Sequence, residues 1–178
     1  KTGRYFASEF MNELPDIICL SKSLTGGLVP MAITSCSQSI YNAFLSSEME
    51  KGFFHGHTYS ANPTSCTAAI ASIELLKSNE IQNNIKRISQ KHQEFIHRIK
   101  EHPKVKQARQ QGIILALDFH NETDRYGKLR YRLFDFYMKE GVYLRPLGNT
   151  VYILAPYVIS DKELLKIYSV IEKSFDLV

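Results

Sequence analysis

Residues Asp16 to Gly27 read D-I-I-C-L-S-K-S-L-T-G-G. Ile17 to Leu20 is an apolar run of the length of one buried strand. Ser21, Lys22 and Ser23 follow at once, and the Gly26-Gly27 pair closes the stretch. Lysine is seldom taken into a protein interior, because its charge is costly to desolvate without a partner. A lysine delivered by an apolar strand into a Gly-rich turn is therefore a candidate for chemistry. Burial at the inner end of a core strand would favour the neutral amine, the form that makes Schiff bases and carries protons. The competing reading is a surface lysine behind an edge strand, and this stretch alone does not separate the two.

Upstream, Lys1-Thr2-Gly3-Arg4 opens without a methionine and reads as the end of a loop, as expected of a fragment whose preceding half lies elsewhere. Tyr5 to Glu13 is mixed, and Pro15 introduces the strand. Downstream, Met31 to Cys36 predicts a second strand. Ser37 or Ser39 can cap a short helix through Phe44, with Ile40, Tyr41 and Phe44 on one face. Gly52 to Pro63, G-F-F-H-G-H-T-Y-S-A-N-P, predicts a loop from its glycines and Asn-Pro pair. Loops so rich in hydroxyls, aromatics and imidazoles are held for a ligand or partner more often than for packing.

From Thr64 the chain is Ala-rich, and Cys66, Ala69, Ile70, Ile73 and Leu76 recur at helical spacing, which predicts a closely packed helix. A longer amphipathic helix follows over Ile81 to Glu101, with Ile81, Ile85, Ile88, Phe95, Ile96 and Ile99 as its stripe. Its Lys, Arg, Gln and His residues make a solvated face, and His102-Pro103 ends it. Helices of this length commonly bridge two domains. The remainder predicts a small α/β unit. Lys104 to Gln110 and Ile113 to Phe119 are strands around Gly112, and Asn121 to Gly127 is a polar turn. Leu129 to Lys139 is a helix stopped by Gly141 as a left-handed cap. Val142 to Leu144 and Val151 to Leu154 are strands around a Pro-Leu-Gly-Asn turn. Ser160-Asp161 caps a last helix with Glu163 in its first turn and Leu164, Ile167, Ile171 and Phe175 buried.

A length of 178 residues fits one ordinary domain or one domain and part of another. The net charge of +4 is mild and its basic residues are mixed with acids, which argues against nucleic acid as a partner. No apolar run approaches the ~18–20 residues that span a bilayer, and no leader is recognisable. Cys19, Cys36 and Cys66 are far apart in apolar or Ala-rich surroundings, as expected of reduced core thiols in a cytoplasmic protein. A basic binding module over residues 81 to 106 would need a continuous cationic face, which Gln90, Glu94 and Glu101 interrupt.

Arg145 follows an apolar run and precedes Pro146, where its planar fork suits a carboxylate. The alternative is a surface arginine paired with a neighbour. His55 and His57 alternate in an extended stretch but have no third ligand nearby, so a metal site is not expected. His92 and His97 lack the spacing for shared ligation. No P-loop, Gly-x-Gly-x-x-Gly or Ser/His/Asp order is present.

The segments K-T-G-R-Y-F-A-S-E, P-D-I-I-C-L-S-K-S-L-T-G-G, H-G-H-T-Y-S-A-N-P and Y-L-R-P-L-G-N-T-V-Y-I-L-A-P-Y resemble successive motifs of the class III pyridoxal-phosphate aminotransferases. The resemblance runs from the first residue to the last helix. The lysine and H-G-x-T motifs are specific for the class. The last motif most resembles the biotin-pathway branch, whose implied substrates are S-adenosylmethionine and 8-amino-7-oxononanoate.

The resemblance implies the C-terminal half of an α/β fold-type-I transferase. Residues 1–80 would end the large cofactor-binding domain, 81–103 would bridge, and 104–178 would form the small domain. It also implies pyridoxal 5'-phosphate as cofactor and a homodimer with shared active sites. Lys22 falls on the lysine that holds the cofactor as a Schiff base and moves the proton. Thr58 falls on the phosphate ligand, which in this family usually serves the neighbouring subunit, with Gly56 and His57 beside it. Arg145 falls on the arginine that pairs with the substrate carboxylate. Gly27, Tyr152 and Lys1 join it on the substrate side. Two positions depart from the pattern: Lys1 stands where related enzymes often carry arginine, and His57 where this branch often carries proline. The class's aspartate for the pyridinium nitrogen, its stacking aromatic and its Gly-Ser phosphate loop would all precede Lys1. Two rival expectations remain, another ω-aminotransferase (ornithine, 4-aminobutyrate or a diamine) and a non-catalytic fragment.

Overall fold

The computed structural model describes residues 1–11, 13–121 and 124–178. Asn12, within the mixed Tyr5–Glu13 segment, and Glu122 and Thr123, within the expected polar turn, lie outside the described residues. Two units emerge, Ala7–Asn79 on the one hand and Lys1–Phe6 with Glu80–Val178 on the other.

In Ala7–Asn79, strands β1 (Ile17–Leu20) and β2 (Ile33–Cys36) pair antiparallel, with Ile17 opposite Cys36 and Leu20 opposite Ile33. A 3₁₀ turn over Lys22–Thr25 follows β1, and the short helix α1 (Gln38–Asn42) follows β2 with Ser37 at its N-cap. Helix α2 (Pro63–Lys77) has proline in its first turn, where no N–H is needed. Its Asn62 cap accepts from the Ser65 N–H at 2.9 Å. The helix leans on the Lys22–Thr25 region through its small residues. Ser72 Oγ donates to the Ser23 carbonyl at 3.4 Å, and Ser65 Oγ to that of Pro30 at 3.4 Å.

Three expectations are corrected in this unit. β1 is not a buried strand: its residues alternate between exposed and half-buried, because a two-stranded sheet has too little surface to bury a face. The apolar stripe of α2 is not packed either; Ala69 is buried, but Ile70 and Ile73 are 58% and 39% exposed. The face used for packing is the small one, and no apolar layer covers the branched one among the described residues. For the same reason Cys19 and Cys36 are exposed and Cys66 half-buried, all free thiols and none of them core.

The second unit holds the core. Helix α3 (Asn79–Ile99) buries Ile81, Ile85, Ile88, His92, Phe95 and Ile99 at helical spacing, with Ile96 at the stripe's edge. Strands β3 (Val105–Gln111), β4 (Ile114–Phe119) and β5 (Thr150–Leu154) form an antiparallel sheet in that order. Leu115, Leu117 and Phe119 of β4 and Val151 and Ile153 of β5 fill one face. Helices α4 (Lys128–Lys139) and α5 (Asp161–Lys173) add Leu129, Leu133, Tyr137, Leu164, Tyr168 and Ile171 to the interior. A capping box between Ser160 and Glu163 opens α5, and Gly141, at φ +71°, follows α4 as expected.

Two expectations fail here. Val142 to Leu144 is no strand. It alternates buried Val142 and Leu144 with exposed Tyr143, yet joins no ladder among the described residues; side-chain alternation does not require a backbone partner. His92 does not belong to the solvated face of α3, because both of its ring nitrogens find partners in the interior.

Candidate active site

Lys22 opens the 3₁₀ turn directly behind β1 with φ +55°, in the left-handed region. A side chain larger than glycine in that conformation costs about 1–3 kcal/mol, a strain that clusters at functional sites. The turn is held by Leu24 N–H on the Ser21 carbonyl (3.3 Å), Gly26 N–H on that of Ser23 (3.1 Å) and the buried Thr25 hydroxyl on that of Val29 (2.6 Å). Gly27, at φ +85°, is exposed, and a Cβ added there would meet nothing within 4 Å. Lys22 is itself exposed, and among the described residues its amine makes no hydrogen bond or ion pair. The interior amine expected from the strand is thus corrected: among the described residues β1 is at most half-buried and does not desolvate it.

The Gly52–Pro63 stretch is a loop as expected, except that Pro63 already opens α2. Its tight turn forms where Ser60 N–H meets the His57 carbonyl (2.9 Å) and Tyr59 N–H meets His57 Nδ1 (3.2 Å). Asn62 Nδ2 donates to the Tyr59 carbonyl at 3.0 Å, and Ala61 between them is left-handed at φ +56°. His57 therefore shapes the loop with its own ring. Thr58 is exposed, and neither its hydroxyl nor its N–H has a partner among the described residues. A Cβ at Gly56 would meet nothing within 4 Å, so its own chain does not demand glycine there. Ser72, which touches the base of the Lys22 turn, lies ten residues along the chain from the Asn62 cap, or about 15 Å of helix axis.

In the other unit, exposed Arg145 lies on the extended run after α4, with no hydrogen bond or ion pair among the described residues. The backbone beside it is fixed. Arg130 Nε donates to the Pro146 carbonyl (3.2 Å), Gly148 N–H to that of Arg125 (3.1 Å), and Asn149 Nδ2 to that of Phe119 (2.6 Å). Tyr152 is half-buried on β5 opposite Ala116, on the sheet face turned away from the core. Asp118 shares that face. Burial pushes its carboxyl up, but hydrogen bonds from Arg109 and Thr150 outweigh this and hold it below its usual value. The Lys1 side chain is exposed, and its carbonyl accepts from Ile113 N–H at 2.9 Å. Sequence reasoning missed Arg130 and His92. The signal for His92 was its place on the α3 stripe, eleven residues after Ile81.

Residues 1–175 match the family model described as Aminotransferase class-III. The chain belongs to this class. The adenosylmethionine-8-amino-7-oxononanoate aminotransferase of Synechococcus elongatus is 39% identical over 177 residues, which are 99% of this chain and 41% of that protein. The protein of the same name from Methanocaldococcus jannaschii is 37% identical over 177 residues, 93% of this chain and 38% of that protein. Its crystal structure matches with a TM-score of 0.86 at 29% identity, over 99% of this chain and 43% of that one. An amine transaminase from an uncultivated Pseudomonas species, solved with pyridoxal phosphate bound, matches at 0.84 and 26% identity, over 98% and 41%. The fold is thus that of the fold-type-I class III aminotransferases, a pyridoxal-phosphate-dependent class. The chain spans about two fifths of the length of the curated relatives it matches.

Proposed function

We propose that this chain is the lysine-bearing part of an aminotransferase that moves an amino group from S-adenosylmethionine to 8-amino-7-oxononanoate, giving 7,8-diaminononanoate in biotin biosynthesis. One observation carries the reading. Within a class III match, Lys22 is held in a strained left-handed backbone with its amine unengaged among the described residues. The residues present fit pyridoxal 5'-phosphate, which asks for a primary amine for its aldehyde and unspent donors for its phosphate. Lys22 offers the first; the Thr58 hydroxyl and N–H, beside the open Gly56 and the His57-shaped turn, offer the second. When bound, this cofactor supplies an electron sink for bonds at the amine-bearing carbon. Lys22 would hold the cofactor and, once displaced by the donor amine, carry the proton on Nζ. The Arg145 guanidinium would take the substrate carboxylate, with Gly27, Tyr152 and Lys1 shaping the substrate side.

Membership of the class supports a homodimer in which Thr58 serves the partner's cofactor. So does the apolar surface of Ala7–Asn79, where Phe53 and Phe54 are 69% and 80% exposed. The unit boundary after Asn79 supports a large-domain segment ending near residue 80, while Lys1–Phe6 group with the bridging helix and small domain in the other unit. Three free thiols support a cytoplasmic setting, and no helix among the described residues is long and apolar enough to cross a membrane.

In the full-length enzyme, Lys22→Ala should abolish the near-visible absorbance of lysine-bound cofactor. An unchanged spectrum would remove Lys22 from the mechanism. Turnover with S-adenosylmethionine, set against ornithine, 4-aminobutyrate and a diamine, decides the donor; turnover with one of the latter alone would overturn the substrate assignment.

A further inference from the structure

The turn between β3 and β4 is gripped from two sides by polar contacts that the proposed chemistry does not use. On one side stands His92, 0% exposed. Its Nε2 lies 3.1 Å from the Ile113 carbonyl oxygen and its Nδ1 2.6 Å from the Tyr168 hydroxyl. A carbonyl can only accept, so Nε2 carries the proton and Nδ1 accepts from Tyr168. Tyr168 is itself fixed by stacking on Phe95, with ring centroids 4.2 Å apart. Gln110 Nε2 adds contacts to the Ser89 carbonyl (2.8 Å) and the Gly112 carbonyl (2.7 Å).

On the other side runs Lys1–Gly3. The Ile113 N–H donates to the Lys1 carbonyl at 2.9 Å, Gln111 Nε2 to that of Thr2 at 3.4 Å, and the Lys1 backbone nitrogen to the Tyr157 hydroxyl at 3.2 Å. Gly112, at φ +59°, lies so close to the backbone of Lys1, Thr2 and Gly3 that a Cβ has no room. Ile113 therefore accepts from His92 at its carbonyl and donates to Lys1 at its amide. An apolar residue at position 92 would avoid the desolvation of an imidazole. A fully satisfied buried pair instead fixes one arrangement of what it touches.

We propose that the Tyr168–His92 pair is a positioning device for the Lys1–Gly3 segment, acting through Ile113 and the Gly112 turn. Its kinetic consequence rests on the proposed function, which puts Lys1 on the substrate side. The test uses the full-length enzyme with His92→Leu, His92→Gln and Tyr168→Phe, reading hydrogen exchange at the Ile113 amide together with KM and kcat. His92→Leu should speed exchange at Ile113 about tenfold while mid-helix amides of α3 and α5 hold. It should also raise KM for the carboxylate substrate about fivefold with kcat little changed. His92→Gln, which can still donate to Ile113 and accept from Tyr168, should restore both. If His92→Leu does not fold, Tyr168→Phe keeps the ring and carries the same readouts. Exchange at Ile113 as slow as in the parent, or a loss confined to kcat, would overturn the proposal. Lys1→Ala separates the two layers. Should it leave every KM unaltered, the substrate reading of Lys1 fails, while faster exchange at Ile113 still upholds the positioning device.

Discussion

His92 should make this fold lose stability as the pH falls from 6.5 toward 4. Burial strips water from the imidazolium and lowers the pKa from 6.5 to about 4, the Ile113 carbonyl opposing this only in part. In the unfolded chain the ring regains its ordinary value of ~6.5. Between those two pH values the unfolded chain binds a proton that the folded one does not, so stability rises with pH across the window. The contribution is complete above about 6.5 and lost as pH drops toward the folded value. A depression from 6.5 to about 4 corresponds to roughly 3 kcal/mol at ~1.36 kcal/mol per pKa unit. The assay is denaturant unfolding of the parent and His92→Gln at a series of pH values from 7.5 down to 4. All other titrating groups are common to both, so the change in their difference isolates the imidazole. The parent's advantage should shrink by roughly 3 kcal/mol over that range. A difference that stays constant, or a signal assigned to the His92 imidazole that titrates near ~6.5 in the folded protein, would refute the reasoning.

Gly112→Ala puts a methyl group against the Lys1–Gly3 backbone at a left-handed φ and should cost about 1–3 kcal/mol in denaturant unfolding. Arg145→Ala should raise KM for the carboxylate substrate by about 10- to 100-fold, the worth of one charge-assisted pair, with Arg145→Lys recovering part of it; unchanged steady-state kinetics would remove Arg145 from the site. Titrated with pyridoxal phosphate, the isolated 178-residue chain should bind weakly and develop little near-visible absorbance, and tight binding would show that these residues suffice.

The chain's local grammar was readable wherever one physical rule governs. The position of the strand Ile17–Leu20, the Ser160/Glu163 capping box and Gly141 after α4 follow from an apolar run, side-chain hydrogen bonding and backbone sterics, and all stand where expected. The α3 stripe was legible but for His92. A histidine among isoleucines reads as polar until a tyrosine 76 residues away in the chain supplies its second partner. Val142 to Leu144 misled because strand-like alternation reports which side faces the core, whereas a strand also needs a neighbouring backbone. At the site, sequence placed Lys22 behind its strand and Thr58 in its loop. It did not reveal the left-handed φ of Lys22.

The failures of burial prediction in Ala7–Asn79 share one cause. Ile17, Ile70 and Ile73 were read as packed and are 53%, 58% and 39% exposed, alongside Leu14 at 95% and Leu28 at 79%. Hydrophobic spacing records the environment a sequence was selected for, while exposure records only the atoms present to cover it. The mismatch falls in the unit that carries Lys22 and Thr58, and the whole chain spans about 41% of its Synechococcus relative. On the proposed reading, the mismatch and the exposed amine are one fact. A two-stranded sheet cannot desolvate a lysine, and among the described residues no apolar layer covers the branched face of α2, the helix that packs beside the Lys22 turn.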